Sequence, residues 1–92
     1  MANAQAVEIM AVYCGKRCKA WREQVRAELE QATKCSVTTT FIIKTGPRQY
    51  DIRFQIYNES NRHTIMPNWF GTACCPAAAE AMAYQEYLNE NI

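Results

Sequence analysis

Residues 37–57 read VTTTFIIKTGPRQYDIRFQIY, and the second half alternates strictly, with apolar Tyr50, Ile52, Phe54 and Ile56 set between Asp51, Arg53, Gln55 and Tyr57. A period of two predicts a strand with one buried face. Residues 37–44 are β-branched or aromatic at almost every position, with Val37, Thr39, Phe41 and Ile43 alternating against Thr38, Thr40, Ile42 and Lys44. Composition of this kind favours a pleated, half-buried strand. Between the two runs, Pro47 presets φ for a turn and Gly46 admits a left-handed residue, which predicts an antiparallel hairpin.

Upstream, Val7, Met10/Ala11, Cys14, Cys18, Trp21, Val25, Leu29 and Ala32 recur at spacings of three and four. They form the apolar stripe of a helix from about residue 4 to residue 33, with Asn3 as its N-cap. Gly15 lies off the stripe, where it can kink or divide the helix. Residues 7–13 also alternate enough to compete as a short strand, which the continuous stripe disfavours. Downstream, residues 58–61 (NESN) make a second polar turn, and residues 62–66 form a third strand that stops at Pro67. Residues 68–75 are then a loop in which Trp69 and Phe70 plug the core, the alternative being an exposed anchor for a partner. Pro76 suits the first position of a closing helix to about Asn89, with Ala77, Ala81, Tyr84 and Leu88 on one face. The expected fold is α+β in the order α-β-β-β-α. It is a three-stranded antiparallel meander covered on one face by two helices, in a single domain of residues 1–92.

Composition narrows the chemistry. No apolar run reaches the ~18 residues of a membrane span, and the first ten residues lack the pattern of a secretory signal, which points to the cytosol. The five cysteines are then read as thiols that pack as small apolar residues. Cys14 and Cys18 lie one helical turn apart, and Cys35, Cys74, Cys75 and His63 could join them around zinc. Their spacings fit no zinc module, so no metal and no cofactor are expected. A Cys nucleophile with His63 as base lacks an orienting third group, and the three glycines form no phosphate loop. The expectation is a protein without catalysis and without a small-molecule substrate.

Charge supplies the one positive signal. The net charge is +1, yet residues 1–62 hold all ten Lys and Arg against six acids, and residues 63–92 hold only Glu80, Glu86 and Glu90. Lys19, Arg22 and Arg26 share an arc of about 60° on the first helix beside the apolar stripe, with Lys16 further round. Arg48 at the hairpin tip, Arg53 on the outer sheet face and Arg62 at the second turn extend the positive surface, and Tyr57 adds a stacking partner. Lys16, Lys19, Arg22, Arg26, Arg48 and Arg62 are the candidate contacts to an RNA or an acidic protein face. The bland alternative is a solvated helix face, with Lys19–Glu23 and Arg26–Glu30 pairs worth ~0.2–0.5 kcal/mol each. A near-neutral total disfavours both a general nucleic-acid coater and a DNA mimic.

Two resemblances add to this reading. The α-β-β-β-α order, with Gly71 shortly before an Ala-rich last helix, resembles the double-stranded RNA-binding domain. The stretch matching that family's Lys-rich helix start, residues 74–79 (CCPAAA), has no Lys, so the resemblance implies an order of elements rather than that grip. Over its whole length, from MANAQAVEIMAVYCGKRCKAWREQVRAELE to EAMAYQEYLNENI, the chain also resembles the phage anti-CRISPR proteins, in particular the small inhibitors of the type I-F (Csy) surveillance complex. That resemblance implies a non-catalytic inhibitor in the host bacterial cytoplasm. It would bind the guide-RNA-loaded complex, block target DNA hybridisation, and contact guide RNA and protein subunits. The alternative is a free-standing double-stranded RNA- or DNA-binding regulatory module.

Overall fold

The alternating segment is the central strand of the molecule. A computed structural model describes the backbone of residues 2–92 and the side chains of residues 15–92. Among the described residues the order is a helix Ala2–Thr33 (α1), strands Ser36–Gly46 (β1), Gln49–Asn58 (β2), His63–Ile65 (β3) and Asn68–Thr72 (β4), and a helix Pro76–Asn91 (α2). The strands make one antiparallel sheet, so the fold is α+β with a helix at either end of the meander. No helix among the described residues is long and apolar enough to cross a membrane.

α1 runs through Gly15 without a break, so the competing strand at residues 7–13 does not form. The helix begins at Ala2, which places Asn3 inside it rather than at an N-cap. Val7, Met10, Ala11 and Cys14 of the predicted stripe lie outside the described side chains. Of the remainder, Cys18, Val25 and Leu29 are buried, while Trp21 and Ala32 stay exposed. α1 ends where Lys34 turns left-handed (φ 59°), its N–H still bonded to the Glu30 carbonyl at 2.8 Å.

The β1–β2 hairpin forms as predicted, with Val37 opposite Ile56 and Thr39 opposite Phe54. The alternation expected along residues 37–44 fails once. The register slips between Thr39 and Phe41, and Thr40 is the extra residue of a β-bulge, its Oγ1 donating to the Arg53 carbonyl at 3.1 Å. An added residue moves everything after it to the other face. Thr39 therefore sits with Phe54 on the helix side, whereas Phe41 and Ile43 sit opposite Arg53 and Asp51 on the open side. The hairpin turn also differs in detail. Its left-handed residue is Arg48 (φ 60°), and Gly46 does not have positive φ.

The third strand does not stop at Pro67, and residues 68–72 are strand rather than loop. Ile65 faces Ile56 and Asn68 faces Arg53, so β3 and β4 lie along the same edge of β2 in one continuous register. Pro67 falls opposite Phe54 and still accepts its N–H at 3.1 Å. Proline lacks only the donor, so an edge position loses one ladder bond and the strand resumes beyond it. The ladder reaches Ala73, whose N–H donates to the Arg48 carbonyl at 2.9 Å.

The face bearing Tyr50, Ile52, Phe54 and Ile56 is the core, and all four side chains are buried. Phe54 meets the rings of Tyr84 and Tyr87 edge to face at 5.1 and 6.0 Å. α2 starts at Pro76 as predicted, capped by Cys75, whose Sγ accepts the Ala78 N–H at 3.4 Å. It is buried on more than the one predicted face, from Ala77 to Ala81 and at Ala83 and Tyr84. The cause is its position between the sheet and α1, which its small alanines allow to approach closely.

Candidate functional site

The predicted cations do not form one patch. Lys16 and Lys19 are exposed on α1, and among the described residues neither is ion-paired. Arg22 and Arg26, one turn on, lie against α2. Arg22 Nη1 is 3.7 Å from Glu80 Oε1 and Arg26 Nη2 is 3.4 Å from Glu80 Oε2, while the Glu80 side chain is only 8% exposed. Thr39 Oγ1 and Tyr84 OH also donate to Glu80 Oε2, at 3.0 and 3.2 Å, and Arg26 Nη2 donates to Tyr84 OH at 3.2 Å. Thr39 and Tyr84 touch hydroxyl to hydroxyl. A buried carboxylate needs such a set of donors, and here α1, β1 and α2 each contribute.

This arrangement balances its own charge. Glu23 binds Arg22 at 2.9 Å and Arg26 at 3.5 Å, so two cations face two carboxylates. The simple i,i+4 pairs expected from the sequence are replaced, because Glu30 instead accepts the Val37 N–H at 2.9 Å. Burial works to lower the Arg26 pKa, but its bond to Tyr84 and the charges of Tyr84, Glu23 and Glu80 raise it further, so the guanidinium keeps its proton. Burial pushes the Tyr84 phenol up, opposed in part by its bonds to Thr39 and Arg26. A cleft of about 550 Å³ opens between these arginines and residues 37–42 at the β1 edge of the sheet. Its walls carry Arg22 and Arg26 against Glu80, a formal +1 that Glu23 offsets from outside the cleft, and the two arginines hold α1 to α2.

Arg48 and Arg62 occupy different ground. Both are exposed, at opposite ends of β2, which places them about 30 Å apart at the rise of a strand. Both are left-handed, with φ of 60° and 59°. Around Arg62 the chain turns through Asn58, whose Oδ1 accepts the Ser60 N–H at 2.9 Å, and Asn61, whose Oδ1 accepts the His63 N–H at 2.8 Å.

Between them lies the sheet face that the helices leave open. At its centre the Arg53 guanidinium sits 5.5 Å from the Phe41 ring centroid, and Arg53 Nε donates to Asn68 Oδ1 at 2.8 Å. Asn68 Nδ2 in turn donates to Asp51 Oδ1 at 3.0 Å. Phe70 is opposite Asp51 and is 70% exposed, and Ile43 and Met66 are exposed on the same face. An aromatic beside a fixed arginine, with scattered apolar groups around it, has the composition of a binding surface. The sequence placed Arg53 here and carried Phe70 as an exposed anchor only in the alternative to the core plug; Met66, Ile43 and Phe41 were missed. Continuing the β3 register through Pro67 would have found Met66 and Phe70; the bulge at Thr40 has no comparable signal.

The core-plug reading of the Trp69–Phe70 pair holds for one residue only. Trp69 packs on the core, and its Nε1 donates to Glu86 Oε2. Phe70, on the opposite face, is the exposed one. The fold also sorts the cysteines. Cys18, Cys74 and Cys75 come together, whereas Cys35 and His63 border another cavity, of about 290 Å³, at the far end of the sheet. Cys74 is disulfide-bonded, which corrects the expectation that every cysteine is a thiol. No family model, curated protein or solved structure matches the chain.

Proposed function

We propose that the chain is a non-catalytic inhibitor that docks on the guide-RNA-loaded type I-F CRISPR surveillance complex in the host bacterial cytoplasm and blocks target DNA hybridisation. The observation that carries the reading is the placement of Arg48 and Arg62. Each holds a left-handed backbone, a conformation that disfavours a side chain by roughly 1–2 kcal/mol relative to glycine. Long cations kept at such positions, at both ends of an open face, suit an extended polyanionic partner. Arg53 and Phe70 between them would meet the protein or the bases, whereas Lys16 and Lys19, exposed on α1 at the helix side of the sheet, would serve a separate contact to phosphates. Arg22 and Arg26, balanced by Glu80 and Glu23, contribute by holding α1 in place.

The decisive variant is Arg48→Gly combined with Arg62→Gly, which removes both charges and relieves both backbones. Its affinity for the purified complex should fall at least tenfold, with a shallower salt dependence, while its melting temperature stays level or rises. Wild-type affinity in both this variant and Phe70→Asp would overturn the proposal. Comparable binding to naked duplex RNA or DNA would instead favour a free-standing nucleic-acid module.

A further inference from the structure

Helix α1 and the start of α2 bring three sulfurs to one point. Cys18 Sγ is 3.7 Å from Cys74 Sγ, Cys74 Sγ is 3.9 Å from Cys75 Sγ, and all three lie within 4.8 Å of one another. Thiolates sharing a tetrahedral zinc at about 2.3 Å stand roughly 3.8 Å apart, so two of these separations already match and the third needs a small adjustment. The surroundings differ among the three. Cys75 is the N-cap of α2, where helix N–H groups favour negative charge, whereas Cys18 is buried against the core, which disfavours a free thiolate, so an ion held by the other two sulfurs has to draw the proton from it. Cys74 is exposed, so an ion has a route in.

We propose that the reduced chain binds one zinc ion through Cys18, Cys74 and Cys75, with a fourth position left to water or another donor. The disulfide at Cys74 makes the site conditional on redox state, because a sulfur in a disulfide has no thiolate to give. A dithiol reductant would open it. Two electrons and two protons pass to the two sulfurs of the bond, giving two thiols, and the reductant leaves as its own disulfide. Zn²⁺ then displaces one proton from each of the three ligand thiols, three in all. Sequence spacing hides this set, since one ligand lies 56 residues from the next and the other two are adjacent.

The test uses the full chain, reduced with a phosphine under anaerobic conditions or left oxidised, titrated with Zn²⁺ against a chromophoric chelator and weighed by native mass spectrometry. One zinc per reduced chain, released protons and no zinc on the oxidised chain are expected. Cys18→Ala should weaken zinc binding by more than about a hundredfold, beyond the loss typical of outer-shell partners. Cys75→Ser should do the same while keeping the helix cap, so that a folding defect is separated from ligand loss. Cys35→Ser should leave affinity unchanged. A reduced chain that takes up no zinc, equal uptake in the oxidised chain, or full affinity in Cys18→Ala would overturn the site.

Discussion

Arg26 and Glu80, 54 residues apart in the chain, meet at 3.4 Å across the α1–α2 contact, on a carboxylate that is almost wholly buried. Half of the cationic cluster that drew attention in the sequence, Arg22 and Arg26, thereby serves the fold. Glu80→Ala should destabilise the protein by about 3 kcal/mol, the lower end for breaking a buried pair, because both arginines keep some contact with water. Replacing Arg26 and Glu80 together by Met should recover most of that loss. Urea unfolding of the single and double variants measures it, and a double variant as unstable as Glu80→Ala would refute the pairing.

Phe54 and Ile52 should each cost about 2–5 kcal/mol when cut to Ala, since both are buried in the packed face. Arg53→Ala, between them in sequence, should cost less than about 1 kcal/mol and act on binding instead. Thermal melts of the three variants check the register directly.

Gly71 is where the Trp69 indole rests. A Cβ at this position would overlap Cζ2 of that ring. Gly71→Ala should therefore displace the indole, release its bond to Glu86 and lower stability by about 1–3 kcal/mol, as overpacking does. The accompanying sign is a red shift in tryptophan fluorescence, which Trp21→Phe in the same background would assign to Trp69.

Alkali should weaken the fold through Cys18. Burial, with the bond and charge of Cys75, pushes its thiol from the ordinary value near 9 up to about 11. The unfolded chain loses this proton first, so the contribution is complete below pH 9 and disappears as pH rises through about 11. The raised Tyr84 phenol adds a loss of the same sign above its ordinary value of 10. Urea midpoints should fall from pH 9 to pH 11, and Cys18→Ala should flatten the first part of that fall.

What the sequence determined by itself was everything carried by local periodicity and backbone chemistry. The alternation of residues 50–57 set the buried face of β2, the stripe through Cys18, Val25 and Leu29 set the inner side of α1, and Pro76 set the start of α2. These signals survive because each depends on neighbours within a few residues. Tertiary structure decided the rest. Thr40 became a bulge only against Arg53, Pro67 failed to end the strand because at the edge it forfeits a single ladder bond while its carbonyl still accepts the Phe54 N–H, and Phe70 was turned to the open face by the register of β4. The site followed the same division. Cationic residues could be listed from the chain, but whether an arginine meets a partner or a carboxylate depends on what lies across the helix contact. Glu80 lies 54 residues from Arg26, and no pattern within α1 announces it.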